Sequence, residues 1–124
     1  MELSVYFRSI VEQDTSPVVI CNLDHIIIYM NPAAQDRYAG RGGAGLVGRS
    51  LLDCHGPQSV EQIKRVTAWF GESAAHNVLY TFRSEKENKD VFMVALRDEN
   101  GTLIGYYEKH EYRTPHSGET YQFA

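Results

Sequence analysis

The sequence has little cysteine, and this limits the classes to which the protein can belong. Only Cys21 and Cys54 occur among 124 residues, too few for the disulfide framework of small secreted domains. The N-terminal residues MELSVYFRSIVE also lack the basic start, apolar centre and small-residue cleavage site of a secretory signal. Together these absences predict a cytoplasmic protein with free thiols.

The sequence also lacks the features of a nucleic-acid-binding surface and of a membrane span. Twelve Lys and Arg residues against sixteen Asp and Glu residues give a net charge of −4, which argues against a broad electrostatic surface for nucleic acid. The most apolar run, residues 17–30, is too short to cross a bilayer and is interrupted by Asn22, Asp24 and His25. The sequence therefore predicts neither a nucleic-acid partner nor a membrane span.

The common catalytic and metal-binding motifs are missing as well. The sequence contains no GxSxG elbow, phosphate loop or GxGxxG turn. Its histidines are isolated and no CxxC, HxxxH or HExxH pattern occurs, so no metal site has the usual ligand spacing. The glycines between residues 40 and 48 predict a flexible loop. We expect no catalytic residue, no metal site and no enzymatic activity.

The first half of the chain predicts a helix, two strands and a second helix. Apolar residues at helical spacing predict a short amphipathic helix over residues 1–13. Residues 18–23 and 26–30 are rich in β-branched side chains and predict strands around a turn at Asp24-His25. Asn31-Pro32 predicts a helix start, because Asn is a favoured N-cap and Pro needs no amide hydrogen at the first helical position.

The second half predicts one long helix and three strands. Ser59 followed by Gln62 matches a capping box, which predicts a helix that places Phe70 in the core and Trp69 at its boundary. Asn100-Gly101 predicts a tight hairpin between the last two strands. The three strands are predicted to be antiparallel, over residues 77–84, 89–98 and 102–113.

The last predicted strand has two different faces. Alternation places Tyr106, Glu108 and His110 on one face, and Tyr107 and Lys109 on the other. Because Tyr is enriched at interfaces, the outward face is either a partner surface or a partly solvated surface with cross-strand charge pairs.

Grouped strands around grouped helices predict an α+β domain, with an antiparallel sheet and helices on one face. We divide the chain into an N-terminal helix at residues 1–13, a domain at 14–113 and a tail at 114–124. The tail is flexible or leads to an effector.

Four segments, in this order along the chain, resemble a PAS domain, a sensor module of bacteria and eukaryotes. They are LDHIIIYMNPAA, LVGRSLLD, the helix at residues 59–70 and RDENGTLIGYY. The family commonly has Gly in place of His25, so this turn either avoids positive φ or is mildly strained. The segment CHGPQS further resembles a bacterial PAS subgroup with a Cys-His-x-Pro-x-Ser pattern.

The resemblance implies a five-stranded antiparallel sheet in the order 2-1-5-4-3, with a cavity between its inner face and the helices. PAS domains sense small molecules, light or redox state there, or act as dimerisation and relay modules. We therefore expect a signal-sensing domain that binds a small apolar ligand, forms a homodimer and acts on an effector domain or partner protein. The residues expected to line or border the cavity are Tyr38, Cys54, His55, Ile63, Val66, Phe70, Phe82, Met93 and Tyr106.

Cys54-His55, just before the predicted long helix, has two interpretations. The pair either contacts a ligand, metal or cofactor at the cavity mouth, or forms loop structure, with Cys54 packed as a small hydrophobe. The loop interpretation is favoured.

No cofactor is the favoured expectation. Haem is disfavoured, because haem-binding PAS proteins usually carry their proximal His on the long helix. Flavin is disfavoured because the Asn-Cys-Arg-Phe-Leu-Gln motif of flavin photosensors is absent. The alternatives to a ligand sensor are a ligand-free dimerisation module and a haem- or metal-dependent redox sensor that uses His55.

Overall fold

The computed structural model describes residues 1–123. Three α-helices, five strands and three short 3-10 helices make up the described part of the chain. The α-helices are α1 (Leu3–Gln13), α2 (Pro32–Arg37) and α3 (Pro57–Glu72). The strands are β1 (Val19–Asn22), β2 (Ile27–Met30), β3 (Val78–Ser84), β4 (Lys89–Arg97) and β5 (Leu103–Tyr112). The 3-10 helices are Ala39–Arg41, Gly43–Leu46 and Leu51–Cys54.

The five strands form one antiparallel sheet in the order β2-β1-β5-β4-β3. This confirms the predicted α+β fold, its strand order and its N-terminal helix. The core lies between the inner face of the sheet and α2, α3 and the 3-10 helices. Its fully or nearly buried residues are Cys21, Ile27, Met30, Ala34, Leu46, Val66, Phe70, Met93 and Tyr106.

Asn31 connects α1, β1 and α2. Its side chain is completely buried. As predicted, Asn31 is the N-cap of α2, since Oδ1 accepts a hydrogen bond from the Ala34 amide at 2.9 Å. Oδ1 also accepts from the amide of Val18, at 2.9 Å. Nδ2 donates to three backbone carbonyls, those of Val11 (3.0 Å), Asp14 (3.2 Å) and Ser16 (3.0 Å).

Helix α3 begins earlier than the sequence pattern predicts. Its N-cap is Gly56, and no side chain caps the helix. The predicted capping box at Ser59 is therefore wrong, because Pro57 starts the helix: its φ is already helical and the first turn needs no amide hydrogen from it. The helix also continues through Gly71, which was expected to follow its end, and stops at Glu72.

Arg97 fixes the C-terminal end of α3 to the β4–β5 hairpin. Its guanidinium donates to the carbonyl oxygens of Phe70 (2.7 Å), Ser73 (3.1 Å) and His76 (3.2 Å). It also donates to the Gly101 carbonyl at 3.1 Å and to Asn77 Oδ1 at 2.7 Å. A cation at this position complements the partial negative charge of a helix C-terminus.

The turn between β1 and β2 contains a left-handed residue. His25 has φ of 64°, a conformation that is unfavourable for most side chains other than Gly. Of the two expectations for this turn, the mildly strained one is correct.

Helix α1 leaves its apolar side chains in solvent. None of its residues is buried, and Leu3, Tyr6, Phe7 and Ile10 are between 51% and 67% exposed. Its second half contacts the domain: the Arg8 guanidinium lies over the Tyr29 ring, the Val11 carbonyl accepts a hydrogen bond from Asn31, and Glu12 accepts one from the Tyr29 hydroxyl. Over residues 1–123, no helix is both long and apolar enough to span a membrane.

Candidate functional site

A cavity of about 120 Å³ lies between the inner face of the sheet and the helices. Strands β1, β2, β4 and β5 form one wall, while α3 and the segment from Tyr38 to His55 form the other. Most of its lining is apolar. The lining residues are Val19, Cys21, Ile27, Met30, Tyr38, Arg41, Leu46, Leu51, Cys54, His55, Ile63, Met93, Tyr106, Glu108 and His110.

Six of the nine residues expected from the sequence lie in this lining: Tyr38, Cys54, His55, Ile63, Met93 and Tyr106. Val66 and Phe70 are not in it but are buried in the adjoining core. Phe82 is outside the lining and is 49% exposed. It lies on the edge strand β3, directly after a register shift between Tyr80 and Phe82.

Several lining residues were not expected from the sequence. Glu108 and His110 share a strand face with Tyr106, so strand alternation combined with the Tyr106 expectation was enough to find them. Cys21 pairs with Tyr106 across β1 and β5. Arg41 and Leu46 come from the glycine-rich segment, where no periodicity indicates which side chains point inward.

A polar stripe on β5 crosses the otherwise apolar lining. The His110 side chain is only 5% exposed, and its Nε2 lies 3.3 Å from a carboxylate oxygen of Glu108. The other ring nitrogen, Nδ1, is buried and has no hydrogen-bond partner among residues 1–123. Buried polar side-chain atoms nearly always have a partner, so this nitrogen is an exception among the described residues.

A second polar group links the cavity to the β1–β2 turn. The Tyr106 hydroxyl and His25 Nδ1 are hydrogen bonded at 2.8 Å. Burial raises the pKa of Tyr106 and lowers that of His25, so both groups are neutral near pH 7. Burial also raises the pKa of the Cys21 thiol to about 11. Because the thiolate is the reactive form, Cys21 is a packing residue at neutral pH.

Cys54 and His55 occupy the cavity mouth and also form its loop. His55 follows the 3-10 helix Leu51–Cys54 as its C-cap, and its Nδ1 donates to the Leu51 carbonyl at 2.9 Å. Cys54 is partly buried against the core. The loop interpretation therefore describes the backbone, while both side chains still border the cavity. Within the described part of the chain, no three His, Cys, Asp or Glu side chains are grouped as metal ligands.

Comparison with known families and structures agrees with this architecture. The family model described as PAS fold matches residues 11–109. No curated protein sequence matches the chain at a significant level.

Three solved structures illustrate the fold. The chain is 23% identical to the C-terminal domain of a Streptococcus mutans protein, with a TM-score of 0.65 over 88% of this chain and 84% of that one. It is 15% identical to a PAS domain from Colwellia psychrerythraea, with a TM-score of 0.65 over 91% and 98%. It is 17% identical to the Aer2 receptor of Vibrio cholerae, described as a dual PAS-haem oxygen sensor, with a TM-score of 0.55 over 79% and 94%. At these identities the likeness shows the fold alone.

Proposed function

Because the chain belongs to the PAS fold family, we propose that it is a sensory domain that binds a small, mostly apolar molecule in its cavity and relays that event as a homodimer to an effector. The mostly apolar cavity at the inner face of the sheet is the observation that carries the proposal. We propose no catalytic role, and we assign the chain to the cytoplasm, where both of its thiols stay free.

The unfilled space in the cavity favours a ligand-binding domain over a module that only dimerises. An unfilled apolar space of 120 Å³ leaves its lining side chains without packing partners on one side, which is unfavourable. A ligand that occupies the cavity supplies those partners, whereas a module that only dimerises has no use for the space.

The size of the cavity limits the ligand. An apolar cavity of about 150 Å³ holds one benzene molecule, so the smaller space of 120 Å³ holds a ligand of no more than about six non-hydrogen atoms. A porphyrin is several times larger than this space. In addition, α3 contains no His, and His55 is exposed at the mouth with Nδ1 already bonded to backbone. Haem therefore does not fit the cavity.

The exposed face of α1 supports the proposal of a homodimer. Isolated helices shorter than about 12 residues are marginal in water, and the 11 residues of α1 have little contact with their own domain. The outer sheet face also exposes Val78 and Tyr80, at 57% and 54%. Packing α1 and this outer face against a second copy removes both apolar surfaces from water.

Ligand binding is tested by comparing the wild-type protein with Ile63→Phe, which fills the cavity from α3, and with Ile63→Val as the matched control. Benzene, used as the probe, should raise the thermal midpoint of the wild type and of Ile63→Val by mass action. It should leave Ile63→Phe unchanged. If benzene affects no variant and shifts no amide resonance of the cavity lining, the ligand-free dimerisation module replaces this proposal.

Dimerisation is tested separately by sedimentation equilibrium. Phe7→Lys places a charge in the apolar surface of α1 and should shift the wild-type dimer toward monomer. Ser9→Lys adds the same charge to a polar position of the same helix and serves as the control. A wild type that is monomeric at all concentrations, or a Phe7→Lys variant that dimerises like the wild type, contradicts the proposed interface.

A further inference from the structure

We propose that the ligand of the cavity is an aromatic ring, which the sulfur-containing side chains of the lining bind in preference to a saturated group of the same size. This inference rests on the proposed function, because it names the chemical class of the molecule in the same cavity. It distinguishes a cavity that accepts any small apolar molecule from one that selects a π system.

The sulfur-containing side chains of the protein are concentrated around the cavity. The sequence has two Cys and three Met residues. Met1 is 99% exposed, and all the others line the cavity: Cys21, Met30, Cys54 and Met93. The buried apolar residues that do not line it contain no sulfur; they are Val18, Ala34, Val66, Phe70 and Val91. Burial alone therefore does not explain why the sulfur is confined to the cavity.

The four sulfur-containing side chains lie on both walls of the cavity. Cys21, Met30 and Met93 belong to strands β1, β2 and β4, and they are buried in the core cluster at the inner face of the sheet. Cys54 ends the 3-10 helix Leu51–Cys54 on the opposite wall and packs against the same cluster. A molecule between the two walls therefore has sulfur-containing side chains on two sides.

Sulfur favours an aromatic occupant over a saturated one. The polarisable sulfur of Met makes favourable contacts with aromatic rings, often at the ring edge, whereas the methyl groups of Leu or Ile contact both kinds of occupant through dispersion alone. Tyr38 and Tyr106 also line the cavity, and aromatic rings pack on one another in offset or edge-to-face arrangements. Given the size of the cavity, the lining suits a single aromatic ring of no more than about six atoms.

The test uses benzene and cyclohexane, which have the same number of carbon atoms and differ in the π system. Amide chemical-shift titrations give the dissociation constant of each probe for the wild type and for Met30→Leu/Met93→Leu, a volume-conserving change. The ratio of the two constants should shift by about fivefold toward cyclohexane in the double variant, because two sulfur–aromatic contacts are lost. Ile63→Leu changes the lining without removing sulfur and should leave the ratio unchanged.

A second measurement uses the wild-type protein alone. When the methionine methyl groups carry an isotope label, benzene should shift the resonances of Met30 and Met93 through its ring current. The resonance of Met1, which is 99% exposed, should not move. Cyclohexane has no ring current, so the shifts that it causes give the baseline for those of benzene.

The outcomes separate this inference from the proposed function. If both probes bind and the double variant keeps the wild-type ratio, the aromatic inference is wrong and the ligand cavity stands. If cyclohexane binds to no variant, the benzene constants decide, and a double variant that binds benzene as tightly as Ile63→Leu overturns the inference. If the double variant fails to fold, benzene shifts at Met30 and Met93 that exceed those of cyclohexane support the inference, and shifts no larger overturn it. If neither probe binds to the wild type, both proposals are wrong.

Discussion

Replacing the buried Asn31 by Asp should destabilise the domain severely, although the two side chains have the same shape. Five hydrogen bonds determine the amide orientation, because two backbone amides point at Oδ1 and three carbonyls at Nδ2. Asp keeps the acceptor oxygen but places a second oxygen against the three carbonyls. At roughly 1–3 kcal/mol for each buried polar group left without its partner, and with the partly exposed carbonyls partly compensated by water, we expect a loss of about 3–5 kcal/mol.

The assay is urea unfolding of the wild type, Asn31→Asp and a matched control, Asn22→Asp. Asn22 also accepts two backbone amides through Oδ1, those of Asp24 and Ile26, both at 3.0 Å. Its Nδ2 donates to no group in residues 1–123, so the control loses no hydrogen bond. The control should change the free energy of unfolding by less than about 1 kcal/mol.

The pH dependence gives an independent check on the reason for the loss. Burial among carbonyl oxygens raises the folded-state pKa of the new carboxyl above its unfolded value of about 3.9. The destabilisation is therefore complete above the folded-state pKa and decreases as the pH falls toward 4, where the protonated acid regains one donor. Equal losses in Asn31→Asp and Asn22→Asp, or a loss at position 31 below about 1 kcal/mol, would refute the reasoning.

Three further predictions concern the ion pair, the strained turn and the helix end. Arg37 lowers the pKa of Glu87 to about 2, below its unfolded value. The stabilisation that the Arg37–Glu87 ion pair gives to the fold is therefore complete above about pH 4.5 and is lost as the pH falls through 2. As the pH is lowered, the thermal midpoint of Glu87→Gln should fall less steeply than that of the wild type. Equal slopes in the two proteins contradict this prediction. His25→Ala should be less stable than His25→Gly by about 1 kcal/mol in urea, since both lose the Tyr106 hydrogen bond and only Ala keeps the left-handed strain. Arg97→Lys should lose about 2–4 kcal/mol in urea, because an ammonium cannot replace five guanidinium contacts; a loss below 1 kcal/mol contradicts the helix-end role.

Most of the fold could be predicted because several local signals in the sequence agree with the tertiary structure. Asn31-Pro32 combines an N-cap with a favourable first helical residue, and both occur as expected. The hairpin at Asn100-Gly101 joins two long alternating strands, and Gly101 has the positive φ that such turns need. The start of α3 was misplaced because Ser59 and Pro57 both signal a helix start, and only the fold decides which of them applies.

The site was harder to predict, because it depends on which face of each strand points inward. Alternation groups Tyr106, Glu108 and His110, but it leaves the inward direction of that face open. Phe82 was expected to line or border the cavity, but no sequence pattern predicts the register shift in β3 that precedes it. That Nδ1 of His110 lacks a hydrogen-bond partner among residues 1–123 is a property of packing around the ring, and no sequence pattern reports it.

The alternation of β5 also brings the proposed ligand site next to the proposed dimer surface. Glu108 and His110 contribute to the cavity wall, and the same two residues, together with Tyr107 and Lys109, line a groove shared with Ile10 of α1. Consecutive side chains of a strand leave a single backbone in opposite directions. A ligand in the cavity that shifts the backbone of β5 would therefore also shift the groove beside α1. One strand is enough to connect the two sites.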